Sequence, residues 1–517
     1  MTRDSSDIGR GLSAARDARP IPEAQRIHVM GAAGAGASAA AWLAARAGAV
    51  VTGCDPGGAS PYTVALDALG VPVAPAHDAS HVTTGGHPIV DRLAVTKALT
   101  SVDPDHAELR AAVAAGIMPE PWQQVVADAA ATHGGRLVGV AGTHGKSTSS
   151  GWLVHVLARA GRDPGAFVGA LLPGSLTGGS PGTARWGRGD AFVVEADEYA
   201  GNFDAYRPAV AVLLNAEWDH PDVFADEASV LDAFEGWLRA PGAEARTLVA
   251  NIGDPGVDRL VERLDEWPGA LVRVALVPPD TERAVDLVGR MGARGELSIE
   301  ARGGAWRLER PLTARLALAG AHNAANGLCV AAAALILGVP AQEVAEHLGT
   351  FAGVGRRLEV KGEPAGVLVI DDYGHHPTAI AVTIDAVRER YPGRRLWAVY
   401  EPLTYHRTAA MLDAFADVLT GADRAVIADI WAGRDPDTTI ASAAALAAAI
   451  TARGGAAAIA PGSVEATADH LAGAVEPGDV VLVMGGGRSY VIAERLVAML
   501  DARSVSVGLT SDRDAGG

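Results

Sequence analysis

Short runs of almost wholly apolar residues alternate along this chain with Ala-rich stretches whose apolar positions recur at helical spacing. The runs at 27–30, 49–54, 136–141, 191–196, 209–215, 367–371, 396–400, 424–430 and 480–484 predict strands. Helices are predicted from about residue 35, from Ser147, and over 323–337, 378–390, 407–419 and 440–452. Strands without an in–out alternation are buried on both faces. Strands that alternate with helices form mostly parallel sheets, so the fold class is α/β. Between 271 and 318 the pattern shortens to small alternating strands, with a hairpin turn expected at the Gly-Gly of LSIEARGGAWRLE.

Three segments share one plan of strand, Gly-rich turn and helix start: IHVMGAAGAG, LVGVAGTHGKS and VVLVMGGGRS. One domain rarely needs three such turns, which predicts one in each of three domains, at 26–132, 133–352 and 353–503. Gly353–Gly355 reads as a linker. The polar segments 1–25 and 504–517 are expected to lack fixed structure. The 517-residue length agrees with three domains at roughly 100–200 residues each.

Composition narrows the partners. With 43 basic and 61 acidic side chains the net charge is −18, which argues against general binding to nucleic acid or anionic membranes. An anionic small molecule would need a local site built from Lys, Arg and backbone N–H groups. Two cysteines, Cys54 and Cys329, exclude a disulfide scaffold and any Cys-based zinc or iron–sulfur site, in keeping with a reducing cytosol. The charge-free stretches 27–45 and 316–342 are rich in Ala and Gly. The second is interrupted by His322, Asn323, Asn326 and Pro340, so neither predicts a membrane span.

The most specific chemistry lies in GVAGTHGKST, 139–148, between a predicted strand and helix. Backbone N–H groups of Gly142, Thr143, His144 and Gly145 can converge on phosphate oxygens at the positive end of the helix dipole. Lys146 would reach the outer phosphates, and the hydroxyl of Ser147, followed by Thr148, would ligate Mg²⁺. Val140 stands where the strict GxxxxGK[ST] pattern has its first Gly; the shorter GTxGK[ST] fits. VVEADE (193–198) and LLNAEWDHPD (213–222) end two further strands in carboxylates and His220, where a metal bridging phosphates would be held. GAHNAANG (320–327) offers His322, Asn323 and Asn326 near a helix start. There amides can read an adenine edge, or Asn323 can cap the helix.

The last third adds two more strand ends. VLVIDDYGHHPTA (367–379) delivers Asp371, Asp372, Tyr373, His375 and His376, and EPLTYHRT (401–408) delivers Tyr405, His406 and Arg407. Arg407 could clamp a carboxylate, and the pair Arg356–Arg357 could bind phosphate or line a solvated turn. Near the start, GAAGAG (31–36) and Asp55 suit a dinucleotide-binding loop, although Ala33 occupies the middle Gly of GxGxxG. That loop alone would suit an NAD-dependent oxidoreductase, a reading that leaves GTHGKS unexplained. A non-catalytic nucleotide binder is disfavoured by the intact Lys146, Glu195 and His220.

Taken together, GTHGKS, EADE, the Asn-Ala-Glu-Trp-Asp-His block, AHNAAN, RRLE, DDYGHHPT and EPLTYHRT resemble the Mur ligase family over about residues 26–502. The resemblance implies a Rossmann-like N-terminal domain binding a UDP sugar, a central P-loop domain binding ATP, and a Rossmann-like C-terminal domain binding an amino acid. It implies ATP and Mg²⁺ as cofactors, with Ser147, Glu195 and His220 on the metal and Lys146 on the phosphates. Asn323, Asn326, Arg356 or Arg357, and Asp372 match nucleotide contacts. Gly31, Gly34, Gly36 and Ser38 match the UDP loop, and His375 and Arg407 match groups near the amino acid. DDYGHHPT points to the branch that joins L-alanine to UDP-N-acetylmuramate. Glu198-Tyr199 resembles the branch that recycles murein tripeptide onto the same sugar. Ala33, Ala37 and Thr404 depart from the usual family residues.

Overall fold

The computed structural model describes residues 5–242, 245–277, 285–302, 308–433, 435, 437–454 and 458–514, with side chains described from residue 7 to 503. The expected Gly-Gly turn falls at 303–304, outside the described residues. The chain forms two compact units, Met1–Gly355 and Arg356–Gly517.

The first unit carries two large sheets. One is a five-stranded parallel sheet in which Arg26–Met30 lies between Val50–Cys54 and Arg92–Val95, with Val73–Ala74 and Glu120–Pro121 at the edges. The other has ten strands. Its parallel centre runs Gly165–Leu172, Ala191–Ala196, Arg136–Ala141, Val210–Leu213, Thr247–Asn251, Ala270–Leu276 and Leu287–Met291. Antiparallel strands finish both sides, Gly182–Arg185 on one and Glu296–Ala301 with Leu312–Arg315 on the other.

The strand Arg136–Ala141 enters this sheet first, and later strands are added on either side of it. Its carboxyl end is therefore the topological switch point, where a crevice opens between diverging connections. One apolar cluster runs from Ile27 of the first sheet and Leu43 of the helix Ala35–Arg46 to Phe203 of the turn Tyr199–Ala205 and Trp237 of the helix Glu227–Leu238 beside the second sheet. Trp122, opening the helix Trp122–His133, meets Phe167 edge to face at 5.4 Å. This shared core explains why the two sheets form one compact unit.

The second unit holds a six-stranded sheet in the order Glu359–Gly362, Leu368–Asp372, Val480–Gly485, Leu396–Glu401, Arg424–Ala428 and Ala458–Gly462. Only Glu359–Gly362 is antiparallel to its neighbour. The expected helix at 407–419 divides at Met411 into Tyr405–Ala410 and Leu412–Leu419. The last helix runs Ser489–Asp514, past the expected end of folded structure at 503.

The segment before residue 26, expected to be without fixed structure, is tied to the first unit, mostly through the helix Trp122–His133. Ile8 is fully buried, and Ile21 N–H donates to Thr132 Oγ1 at 2.7 Å. Arg16 forks onto Asp128 at 3.0 and 2.6 Å, and Asp128 also receives Arg92 at 2.6 Å and the Arg19 N–H at 2.8 Å. The partners of this segment lie about a hundred residues on, so no local pattern announces them. Asp128 is buried and Arg16 is one-third exposed, so breaking the fork costs less than for a fully buried pair. Asp128→Asn should lower unfolding stability by about 2–4 kcal/mol and open residues 9–20 to limited proteolysis. Unchanged cleavage kinetics would show that the fork does not anchor the segment.

Candidate active site

The strand Arg136–Ala141 ends in the Gly-rich loop, and the helix Lys146–Arg159 begins directly after it. Gly145 has φ +80°, a left-handed conformation that L side chains rarely adopt, and a Cβ there would stand 2.8 Å from Asn326 Nδ2. The loop is clamped from the next strand. Asn215 accepts the His144 N–H at 2.7 Å and returns its own amide to His144 O at 3.0 Å. Thr143 Oγ1 donates to Glu217 O at 3.0 Å and accepts the Glu217 N–H at 2.9 Å.

Lys146 folds back over the loop. Its Nζ donates to Gly142 O at 2.8 Å, to Thr143 O at 3.3 Å and to Glu198 at 2.9 Å, with Asp197 at 3.5 Å. Burial pushes Glu198 up to about 7, against the pull of Lys146. Burial also works against the Lys146 ammonium, but Glu198, Asp197 and Glu195 together outweigh it and hold the lysine protonated.

Ser147 Oγ donates to Glu195 Oε1 at 3.0 Å, and the other oxygen of Glu195 accepts the Gly169 N–H at 2.6 Å. Side-chain donor atoms of Asp197, Glu198 and His220 lie within 4.8 Å of one another. His220 has φ +53° and its ring lies against Tyr199 at 4.8 Å, so a strained backbone aims the imidazole. Asn326 lies against the loop at Gly145, while Asn323 donates to Ala319 O at 2.7 Å. His322 sits in the first turn of Ala321–Ile336, and Thr148 is buried in the helix after Ser147. Of the ATP-site residues expected from sequence, Lys146, Ser147, Glu195 and Asn326 thus meet at the loop. Asp197 and Glu198, the other carboxylates of the expected strand end, belong with them, and Asn215, not named in advance, could have been found by the same strand-end rule.

In the first sheet, Asp55 accepts the Ala33 N–H at 2.9 Å and the Gly57 N–H at 2.7 Å, so it shapes the Gly31–Gly36 loop directly. A Cβ at Gly36 would stand 2.2 Å from Trp122, so this glycine serves helix packing. Ser38 is buried and donates to Ala35 O at 3.0 Å within its own helix. Gly31 and Gly34 stay in the turn itself.

In the second unit, Arg356 donates to Asp371 at 3.2 Å, to Gly485 O at 2.8 Å and to Ser489 Oγ at 2.7 Å, between the rings of Tyr373 and Tyr490. Arg357 lies 5.0 Å from the Tyr373 ring. Asp372 accepts the N–H groups of Leu358 and Gly374 at 2.8 and 2.7 Å. His375 Nδ1 lies 2.9 Å from Tyr373 O, and His376 caps the helix Pro377–Arg390. Tyr405 opens the next helix, in which Arg407 is buried. Burial pushes Asp371, one of the strand-end groups expected from sequence, up to about 6, and Glu401, not named in advance as a site residue, up to about 7.

Three α/β sheets, a phosphate-type loop with its lysine and hydroxyl, and carboxylates gathered at the switch point define a nucleotide-using ligase architecture. The chain belongs to the Mur ligase family. The family's catalytic domain matches residues 26–133, the Mur ligase middle domain 140–334, and the Mur ligase glutamate ligase domain 356–487. The UDP-N-acetylmuramate–L-alanine ligase of Acidothermus cellulolyticus is 36% identical over 93% of this chain and 96% of its own length. That of Chloroflexus aggregans is 35% identical over 92% and 98%. The solved UDP-N-acetylmuramate–alanine ligase from Thermotoga maritima shares the fold, with TM-score 0.72 at 22% identity over 92% of this chain and 99% of that one. A murein peptide ligase from Psychrobacter arcticus matches with TM-score 0.70 at 24% identity over the same shares. No helix among the described residues is long and apolar enough to cross a membrane.

Glu401 gives the site a testable pH signature. Its ordinary value is 4.5 and its folded value about 7, so between these the folded chain holds a proton the unfolded chain lacks. Its contribution to stability is greatest at low pH and falls as pH rises through 7. Glu401→Gln should therefore gain on the parent chain between pH 5 and pH 8, by on the order of 2 kcal/mol. Urea midpoints of both proteins at the two pH values measure this; a constant gap would contradict it.

Proposed function

We propose that this chain is the ligase that uses ATP to join L-alanine to the carboxylate of UDP-N-acetylmuramate, in cytoplasmic assembly of peptidoglycan precursors. The observation that carries the ATP half is the convergence of Lys146, Ser147, Glu195 and Glu198 on one phosphate-type loop. The names of the curated relatives support the choice of acceptor and amine.

The chemistry follows from a carboxylate's poor reactivity. Transfer of the γ-phosphoryl group onto it makes an acyl phosphate, the amine attacks the acyl carbon, and phosphate leaves. Lys146 would exchange Glu198 for the β- and γ-phosphate oxygens and offset charge during transfer. The hydroxyl of Ser147 and the carboxylate of Glu195 form an all-oxygen donor pair of the kind hard cations take, so Mg²⁺ fits here, and His220, clustered with Asp197 and Glu198, would be the added ligand. When bound, the cation would neutralise phosphate charge. We assign the UDP sugar to residues 26–132, ATP to 133–352 and the amino acid to 353–503. His375 and Arg407 would face the amino acid.

Phosphate release from ATP should require UDP-N-acetylmuramate and L-alanine together. Faster release with L-Ala-γ-D-Glu-diaminopimelate than with alanine would instead assign the chain to tripeptide recycling, the reading favoured by Glu198-Tyr199. Lys146→Ala should cut turnover by at least ~10³-fold while UDP-sugar affinity is kept, since the two ligands are assigned to different sheets. Equal loss of both would refute that division.

A further inference from the structure

A second cluster of reactive side chains lies away from the phosphate loop, in the first sheet. His28 on the strand Arg26–Met30, Cys54 ending Val50–Cys54, His81 ending the turn Ala79–His81, and Glu108 in the helix Ala107–Ala114 point to one spot. His28, Cys54 and Glu108 are 1% exposed or less. Their donor atoms lie within 4.8 Å of one another.

The spacings are those of ligands around a small ion. His28 Nε2 is 3.1 Å from Glu108 Oε1 and 3.2 Å from Cys54 Sγ, His81 Nδ1 is 3.3 Å from Glu108 Oε1, and Cys54 Sγ is 3.7 Å from Glu108 Oε1. Bonds of 2.0–2.3 Å at tetrahedral angles would set such atoms roughly 3.3–3.7 Å apart. The supporting contacts leave the inward atoms available. His28 Nδ1 is 2.7 Å from Thr52 Oγ1, which as a donated proton leaves a lone pair on Nε2. The Asp78 N–H holds Glu108 Oε2 at 3.1 Å, and His81 Nδ1 is buried with no hydrogen-bond partner among the described residues. No Lys or Arg pairs with Glu108 among the described residues; its partners are the imidazoles of His28, His77 and His81 and the thiol of Cys54, all groups that can ligate a cation.

We propose that His28, Cys54, His81 and Glu108 form a four-coordinate site for a zinc-type divalent cation. Two imidazoles, a thiolate and a carboxylate are the donors such an ion takes, whereas Mg²⁺ and Ca²⁺ take oxygens. The ion ties four chain segments together directly beneath Asp55. His77, with Nδ1 3.0 Å from Cys54 Sγ, stands beside it as an outer partner.

The full chain, stripped with chelator and titrated with Co²⁺ alone, tests this. One equivalent should develop a thiolate-to-cobalt charge-transfer band and the strong visible bands of four-coordinate cobalt, and Zn²⁺ should displace both. Cys54→Ser should abolish the charge-transfer band, and Glu108→Gln should weaken binding at least tenfold, about the lower end of what outer-shell losses cost. Cobalt at Ser147 and Glu195 would give neither the thiolate band nor sensitivity to Cys54→Ser. Should the variants misfold, native mass spectrometry of the parent chain with Zn²⁺ decides by the metal count. No thiolate band in the parent chain, a band that survives Cys54→Ser, or no retained zinc would each overturn the site, whatever the outcome of the ligase assays.

Discussion

The buried contact between Lys146 and Glu198 is the interaction on which the phosphate loop depends. An ammonium at the first turn of a helix faces unpaired N–H groups and the positive end of the dipole, an unfavourable place for a cation. It is tolerated because Glu198 and Asp197 stand 2.9 and 3.5 Å away and two loop carbonyls accept its remaining protons. The pair leaves the ammonium preformed where a triphosphate would bring more negative charge than Glu198 supplies. The same burial pushes Glu198 towards neutrality, so release of the lysine need not strand a full charge in the interior.

Strand order makes the pair possible. Arg136–Ala141 lies between Ala191–Ala196 and Val210–Leu213, so the loop, the Glu195–Glu198 segment and the Asn215–His220 segment emerge at one edge. In-register pairing sets Glu195 opposite Val140 and Ala196 opposite Ala141. A one-residue slip would exchange the faces of Glu195 and Ala196 and separate the carboxylate from Ser147. The second unit uses the same geometry, with Asp372 beside Met484 and Glu401 beside Gly485 at flush strand ends.

What could be read in advance follows the range of the forces involved. Strands such as 136–141 and 480–484 were legible because burial on both faces leaves a continuous apolar run, and the phosphate loop because its residues are contiguous. Contacts that join distant segments left no local mark. Arg16 depends on Asp128, Gly36 on Trp122, and Cys54 on His28 and Glu108. The division of the 407–419 helix at Met411 has no Pro or Gly to announce it. Cysteine counting passed over the mixed cluster because that rule looks for several thiols, and here one thiol stands among imidazoles.

The second unit shows how a position can match a family motif and still be engaged elsewhere. Arg356 lies between two tyrosine rings and donates to Asp371, Gly485 and Ser489, which uses most of its fork and fixes its plane. To reach a phosphate it would have to abandon Asp371, a carboxyl already raised by burial and deprived then of its nearest cation. Both oxygens of Asp372 likewise accept backbone N–H groups, one of them from Leu358, whose φ is +51°. Arg356 and Asp372 therefore hold the 356–374 turn in shape. Arg357, stacked on the Tyr373 ring, is the better placed of the two arginines to carry charge to a ligand.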